Sequence, residues 1–182
     1  ITDYQYDIYA KPASNSVFYN FFYLDRAAQF CTIQLAPQLK IGLSNVHLEA
    51  YDGYARQSQV TQLIDTSRYL YSDMPFILVG DFNALHPDMM TQTRFPDEPD
   101  NDYGNDTSIS KLLKSSFLTD AFAAKRKQDG SSVFTFPSDS PNRQLDYGFY
   151  SGESLKLESA DVMTTDGEGS DHLPVVFSLG LD

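Results

Sequence analysis

Four short strings in this chain carry groups that could do chemistry. They are Asn45-Val46-His47-Leu48, Gly80-Asp81-Phe82-Asn83, Leu145-Asp146-Tyr147 and Ser170-Asp171-His172-Leu173-Pro174. Asp81 and Asn83 stand two apart, so in an extended chain both side chains point into one pocket. An aspartate there can orient or deprotonate a water, and an asparagine can donate a hydrogen bond to a phosphoryl oxygen. His47 ends an apolar run and can donate to a non-bridging phosphate oxygen, the kind of charge stabilisation on which phosphoryl transfer depends. Asp146 lies among residues that favour burial, and a buried carboxylate is costly unless paired. His172 is its natural partner, because a carboxylate fixes the imidazole tautomer and raises its pKa. Asp171 is then free to bind a hard cation through oxygen, as Mg²⁺ prefers.

Each string alone also has a structural reading. Asp81 can open a turn that Asn83 caps, and His47 can bond to a neighbouring backbone group. A helix cap at Ser170-Asp171-His172 is disfavoured by the β-prone run Leu173-Pro174-Val175-Val176 that follows. Only three histidines exist, and two fall in these strings. The combination, in this order, suits metal-assisted hydrolysis of a phosphoester.

The elements that must position these groups follow from local pattern. Phe30 to Leu35 and Lys40 to Val46 read as a hairpin joined by Ala36-Pro37-Gln38. Val60, Leu63, Ile64, Ser67 and Leu70 recur at helical spacing and predict an amphipathic helix over about 55–71. Phe76 to Val79 is a continuous apolar run, typical of a strand buried on both faces, and it delivers Gly80-Asp81-Phe82-Asn83 at its end. Thr107-Ser108 predicts the cap of a helix through Leu112 and Leu113, with Phe117, Leu118 and Phe122 extending its apolar face. Ser132 to Phe136, Gln144 to Tyr150, Leu155 to Val162 and Leu173 to Leu179 read as strands. Strand, helix and strand at these spacings imply a layered α/β core.

Composition sets the outer bounds. The 182 residues, 41% hydrophobic and 21% charged, fit a single globular domain over 1–182. No stretch approaches the ~20 apolar residues of a membrane span. Cys31 is alone, which rules out an intramolecular disulfide, and its apolar neighbours suit a buried small hydrophobe. Net charge is −12, a field that repels polyanions and disfavours a nucleic-acid partner without excluding one. The Lys125-Arg126-Lys127 triplet reads as a solvated helix end. The stretch holding Asp97, Glu98, Asp100, Asp102 and Asp106 reads as a solvated acidic loop, close enough in sequence to Asn83 to sit at the rim of a site. It lacks the ligand spacing of a calcium loop. The first 23 residues are rich in Tyr, Phe and Asn, with a turn near Lys11-Pro12-Ala13-Ser14-Asn15. They read like the middle of a fold, so a front segment is expected to precede them, and compartment is left open.

From about Asp25 to Leu179 the chain resembles the endonuclease/exonuclease/phosphatase superfamily. Gly80-Asp81-Phe82-Asn83 and Ser170-Asp171-His172 are the most specific elements, with Leu145-Asp146-Tyr147 and Asn45-Val46-His47-Leu48 softer. The resemblance implies a deoxyribonuclease I-like four-layer α/β sandwich, two mixed β-sheets face to face with helices outside, incomplete at the N-terminus. It implies a Mg²⁺-dependent phosphoesterase, with Mn²⁺ an alternative ion. It casts Asp81 as the residue that positions or activates water, Asn83 as holding that water or the phosphate, and Asp171 as the metal carboxylate, with Asp81 and Asn83 beside it on the metal side. His47 and His172 would contact phosphate, and Asp146 would hold His172. Arg56-Gln57 through Gln59 match a helix start of structural role. The family's upstream Asn and metal-binding Glu are not found, and Glu49 follows His47 too closely to replace the latter. The 182 residues alone are therefore expected to bind Mg²⁺ poorly and to be inactive. A small-molecule, phospholipid or inositol-type phosphoester is the favoured substrate. DNA or RNA cleavage, and a non-catalytic binding module that keeps the fold, are the alternatives.

Overall fold

The computed structural model describes residues 1–151, 154–164 and 169–181. Its centre is the strand Phe76–Asp81 (β4), hydrophobic throughout except at its last two residues. It pairs in parallel with Leu39–His47 (β3) and antiparallel with Asp146–Ser151 (β6). β3 in turn forms a hairpin with Ala27–Ala36 (β2), and Thr2–Ile8 (β1) adds the edge. Thr119–Asp120 (β5) closes the other side, so the mixed sheet runs β1-β2-β3-β4-β6-β5. A second sheet pairs Leu155–Val162 (β7) with Val175–Leu181 (β8).

The helix Gly53–Tyr71 (α2) begins where Asp52 accepts a hydrogen bond from the Ala55 amide. It lays Val60, Leu63 and Tyr71 on one face of the sheet, where Tyr71 stacks on Phe76 with ring centroids 4.7 Å apart. The helix Ser108–Lys114 (α3) packs beside α2 and adds Ile109 and Leu112 to the same core. The opposite face receives the second sheet. Phe177 of β8 lies so close over Gly148 that a Cβ there would meet its ring at 2.3 Å. A mixed sheet with helices on one side and a second sheet on the other follows the expected sandwich, and the second sheet contributes two strands among the described residues.

Several local expectations give way to hydrogen bonding. The α3 helix stops at Lys114, because the Ser115 hydroxyl donates to the Leu112 carbonyl and Ser116 takes a positive φ of 62°. Phe117, Leu118 and Phe122 thus belong to the turn and strand after it. Thr107 does not cap α3 through its side chain; Asp106 accepts from the Ser108 amide instead. Residues 130–133 form a 3₁₀ turn rather than a strand, opened by Asp129 accepting from the Ser131 amide, and only Phe136 makes a bridge, to Arg143. In the helix Ala123–Gln128 (α4) Arg126 is buried, not solvated, held by Asp120 at 2.5 Å and by Gln144. The acidic stretch is likewise not a free loop. Asp97 and Glu98 pair with buried Arg143, Asp102 with Arg94 and Asp106 with buried Arg56. Cys31 is partly buried on β2.

Gly80 shows why the motif needs its glycine. Its φ is 138°, and a Cβ would meet the Val46 carbonyl oxygen at 2.0 Å. This close approach brings the end of β4 against β3 just before Asp81. Gly80→Ala is expected to destabilise the protein by roughly 3 kcal/mol or more, through backbone displacement as well as strain. Urea unfolding of the variant checks this, and a loss below about 0.5 kcal/mol, the usual range for neutral surface changes, would refute the close approach.

Candidate functional site

Strand register assembles the site. Asp81 pairs with Asp146 across β4 and β6, and with His47 across β3 and β4. Three of the four strings therefore meet at one end of the sheet. The fourth arrives through a loop: the Ser138 amide donates to the Asp171 carbonyl at 2.7 Å, and the Leu173 amide donates to Thr135 at 2.7 Å. That loop sets His172 over the strand ends, where its Nδ1 lies 2.7 Å from Asp146 Oδ2 and its ring sits 4.7 Å from that of Phe136. With Nδ1 turned to the carboxylate, Nε2 is left for another partner. The pairing of Asp146 with His172 is the one anticipated from sequence.

Asn83 adopts a left-handed backbone, φ 48°, which asparagine tolerates better than most residues. The turn lets its amide N–H donate to Asp81 Oδ1 at 2.8 Å. Its side-chain nitrogen donates to Asp81 Oδ2 at 3.1 Å and to the Leu48 carbonyl at 3.0 Å. Both side-chain hydrogens are thereby engaged, so Asn83 orients Asp81, and its Oδ1 is the atom that remains to meet a ligand. Asp81 also lies 3.4 Å from His47 Nε2.

One residue of the site has no counterpart in the sequence strings. Buried Arg26 donates to His47 Nε2 and carries its positive charge to the rim. The hairpin register shows how it gets there: Ala27 pairs with His47, so Arg26 stands one residue beyond. Extending the Phe30 to Val46 hairpin backwards by four residues would have located it. Nearby, Glu49 is fully buried and accepts from Tyr23 Oη and from the Tyr51 amide. Asp171 is exposed, and Asp81, Asp146 and His172 are the groups whose ligand atoms lie within 4.8 Å of one another among the described residues.

The electrostatics follow from burial and from two carboxylates in contact. Asp81 is pushed up to about 6, first by burial and then by the Asp146 charge, against the Asn83 amide and the charges of His172 and Arg26. Burial opposes charge on His172, but the hydrogen bond and charge of Asp146 outweigh it and raise the imidazole above its ordinary value. His47 is lowered by burial, by Arg26 and by His172. A neutral His47 is thus flanked by a cationic Arg26, and a readily protonated His172 by two acids. The two carboxylates, with oxygens within 4.8 Å of one another, fit a hard divalent cation, because their mutual repulsion is what a cation relieves.

A carboxyl whose folded pKa is raised stabilises the fold fully below its unfolded value, and that contribution is lost as pH rises through the folded value. For Asp81 the window runs from about 4 to about 6. Asp81→Asn should therefore make the chelator-treated protein more stable than the parent at pH 8, by roughly 1–3 kcal/mol at 1.36 kcal/mol per pKa unit. The gap should close towards pH 4. Thermal melts in EDTA across this range check it, and a variant less stable at pH 8 would show that the two carboxylates do not repel.

The model of the Endonuclease/Exonuclease/phosphatase family matches residues 3–172. No curated protein sequence matches the chain significantly. Solved structures share its fold at low identity. The human Nocturnin catalytic domain with bound sulfate is 19% identical, with a TM-score of 0.68 over 100% of this chain and 59% of its own. The mannosyl-6-phosphatase of Bacteroides thetaiotaomicron is 18% identical, with a TM-score of 0.63 over 86% and 58%. D. rerio TDP2 complexed with a single-stranded DNA product is 14% identical, with a TM-score of 0.64 over 97% and 67%. The chain thus spans well under the full length of each. With the family model running through three of the strings and into the fourth as far as His172, the chain belongs to the Endonuclease/Exonuclease/phosphatase family.

Proposed function

We propose that the domain containing these residues hydrolyses a phosphoester with the help of a divalent cation, Mg²⁺ or Mn²⁺. The observation that carries this reading is the cluster of Asp81, Asp146 and His172 with Arg26 and His47 beside it. When bound, the cation would lower the pKa of water and polarise a phosphoryl oxygen. Asp81 and Asp146 are the carboxylates that would hold it, with the free Oδ1 of Asn83 nearby, while exposed Asp171 stands outside their cluster. Asp81, raised to about 6 and so mostly ionised yet more basic than an ordinary carboxylate at neutral pH, takes the proton of the attacking water. Asn83 fixes the carboxylate in place for that transfer. His172, whose proton affinity Asp146 raises, and Arg26 face the growing charge on phosphate oxygens. His47 positions Arg26 and stands next to the same oxygens.

The substrate we favour is a small or lipid-borne phosphoester. Net charge of −12 supports this. The stretch Asp97 to Asp106 supports it less than its composition suggests, since arginines hold Asp97, Glu98, Asp102 and Asp106. The likeness to a TDP2 bound to a DNA product keeps nucleic acid as the second reading. Steeply salt-dependent cleavage of DNA, beside salt-insensitive cleavage of a small diester, would favour that second reading.

This activity is proposed for the whole protein, since the chain spans 58%, 59% and 67% of the three solved structures above. On the full polypeptide, His172→Ala and Asp81→Ala should each lower kcat/KM for bis-p-nitrophenyl phosphate by roughly 10²–10⁴-fold, as expected for loss of a proton-transfer group. Arg26→Ala should mainly raise KM. Unchanged kcat/KM in the first two would refute the proposed roles. The 182 residues alone should bind Mg²⁺ weakly, and robust Mg²⁺-dependent hydrolysis by them would show that no further metal ligand is required.

A further inference from the structure

The connection between β1 and β2 carries side chains that neither the core nor the site uses. Its helix, Val17–Phe22 (α1), buries no residue. Val17, Phe18, Phe21 and Phe22 are 91%, 78%, 81% and 70% exposed, and Leu24 follows at 69%. Aromatic side chains are seldom left in water together, and a contiguous apolar patch marks an interaction surface. The rings pack on one another rather than on the body of the protein, Phe18 against Phe22 at 5.5 Å and Phe21 against Phe22 at 5.2 Å.

The segment is built as a fixed knob. Lys11 Nζ donates to the carbonyls of Asn20 and Tyr23 and pairs with Asp25 at 3.0 Å, so one cation closes the loop at both ends. Ser16 caps the helix by accepting from the Tyr19 amide. The knob is also tied to the rim of the site. Tyr23 Oη donates to Glu49, two residues beyond His47, and Arg26 stands three residues after Tyr23. The Ser14 hydroxyl reaches Asp52 at 3.3 Å, next to Tyr51 and Tyr54, which are 65% and 86% exposed.

We propose that this aromatic knob inserts into the interface of a zwitterionic lipid bilayer and so presents the site to phosphoesters at headgroup depth. Charge selects this occupant. From Pro12 to Leu24 there is no Asp, Glu, Lys or Arg, in a chain of net charge −12. A nucleic acid or an anionic membrane would need free cations, and Lys11 is spent inside the loop. Phenylalanines at the tip with tyrosines around them match the polarity gradient of a membrane interface. Binding to the bilayer stands on the knob alone; its meaning for substrate choice rests on the phosphoesterase reading above.

The test is co-sedimentation of the full polypeptide with phosphatidylcholine vesicles in EDTA, which removes catalysis from the measurement. The parent should partition onto vesicles, unaffected by salt and weakened when phosphatidylserine is added. The F18S/F21S/F22S variant should bind at least about tenfold more weakly, a difference of about 1.4 kcal/mol. Its far-UV circular dichroism and its hydrolysis of soluble bis-p-nitrophenyl phosphate should match the parent. A parent that stays in the supernatant overturns the proposal, as does a variant that binds equally. So does a parent dimer in light scattering that the variant lacks, which would assign the knob to self-association. Vesicle binding without hydrolysis of any phosphoester would leave the membrane surface standing and sink the catalytic reading alone.

Discussion

The pairing of Asp81 with Asp146 across the β4–β6 register is the constraint around which the site is organised. Neighbouring positions on antiparallel strands place side chains of one face within about 5 Å, where like charges repel. A fold would ordinarily avoid two carboxylates there. Here the repulsion is divided among fixed partners: Asn83 holds Asp81, His172 holds Asp146, and Arg26 adds a positive charge behind His47. Each comes from a different part of the chain, and each is placed by backbone hydrogen bonds rather than by a flexible side chain. Burial first, and then the repulsion that remains, appear as the raised pKa of Asp81.

Three buried arginines hold the irregular segments around that core. Arg56, on the first turn of α2, reaches Asp106 and the carbonyls of Glu49 and Ala50, so it fixes the chain just after His47. Arg143 lies between the rings of Phe95 and Phe136, 4.3 Å and 4.5 Å from their centroids, while binding Asp97 and Glu98. Arg126 joins α4 to Asp120 and Gln144, behind the start of β6. Buried ion pairs add little net stability compared with apolar packing, but loss of one partner strands a charge. Their contribution here is to give long loops one position each, and Phe136, so held, is the ring against which His172 rests.

The regular part of this arrangement is legible in the sequence because period and position coincide. An apolar run ending in Gly80-Asp81 implies a buried strand with polar groups at its tip, and α2 shows its buried stripe at helical spacing. Asp146 and His172 could be paired because a carboxylate among residues that want burial needs a partner. Arg26 stayed hidden because its role comes from register, which no short motif displays. The acidic stretch misleads for a related reason: Asp97 and Asp106 are neutralised by arginines 46 and 50 residues away. Arg126 looks like one of three surface cations until β5 supplies Asp120. Side chains whose surroundings are set by distant segments are the ones composition misjudges.

The same division of charge bears on how the site takes its ligands. Arg26 and His172 offer positive charge, and a phosphoester brings anionic oxygens that suit them. Asp81 and Asp146 offer the opposite, and a bare phosphoester would be repelled by both. A cation alone meets the converse conflict, with the Arg26 charge and an imidazole that Asp146 makes more basic at its side. Neither ligand is well accommodated without the other, because each relieves the repulsion that the other meets. Affinity measured for one alone should therefore understate the site, and their binding is coupled through the carboxylates in the sense of reciprocal linkage. The raised pKa of Asp81, about 6, belongs to the same logic. Below that pH the site holds a proton where it lacks positive charge, and a ligand that brings such charge lowers the pH at which the proton is given up.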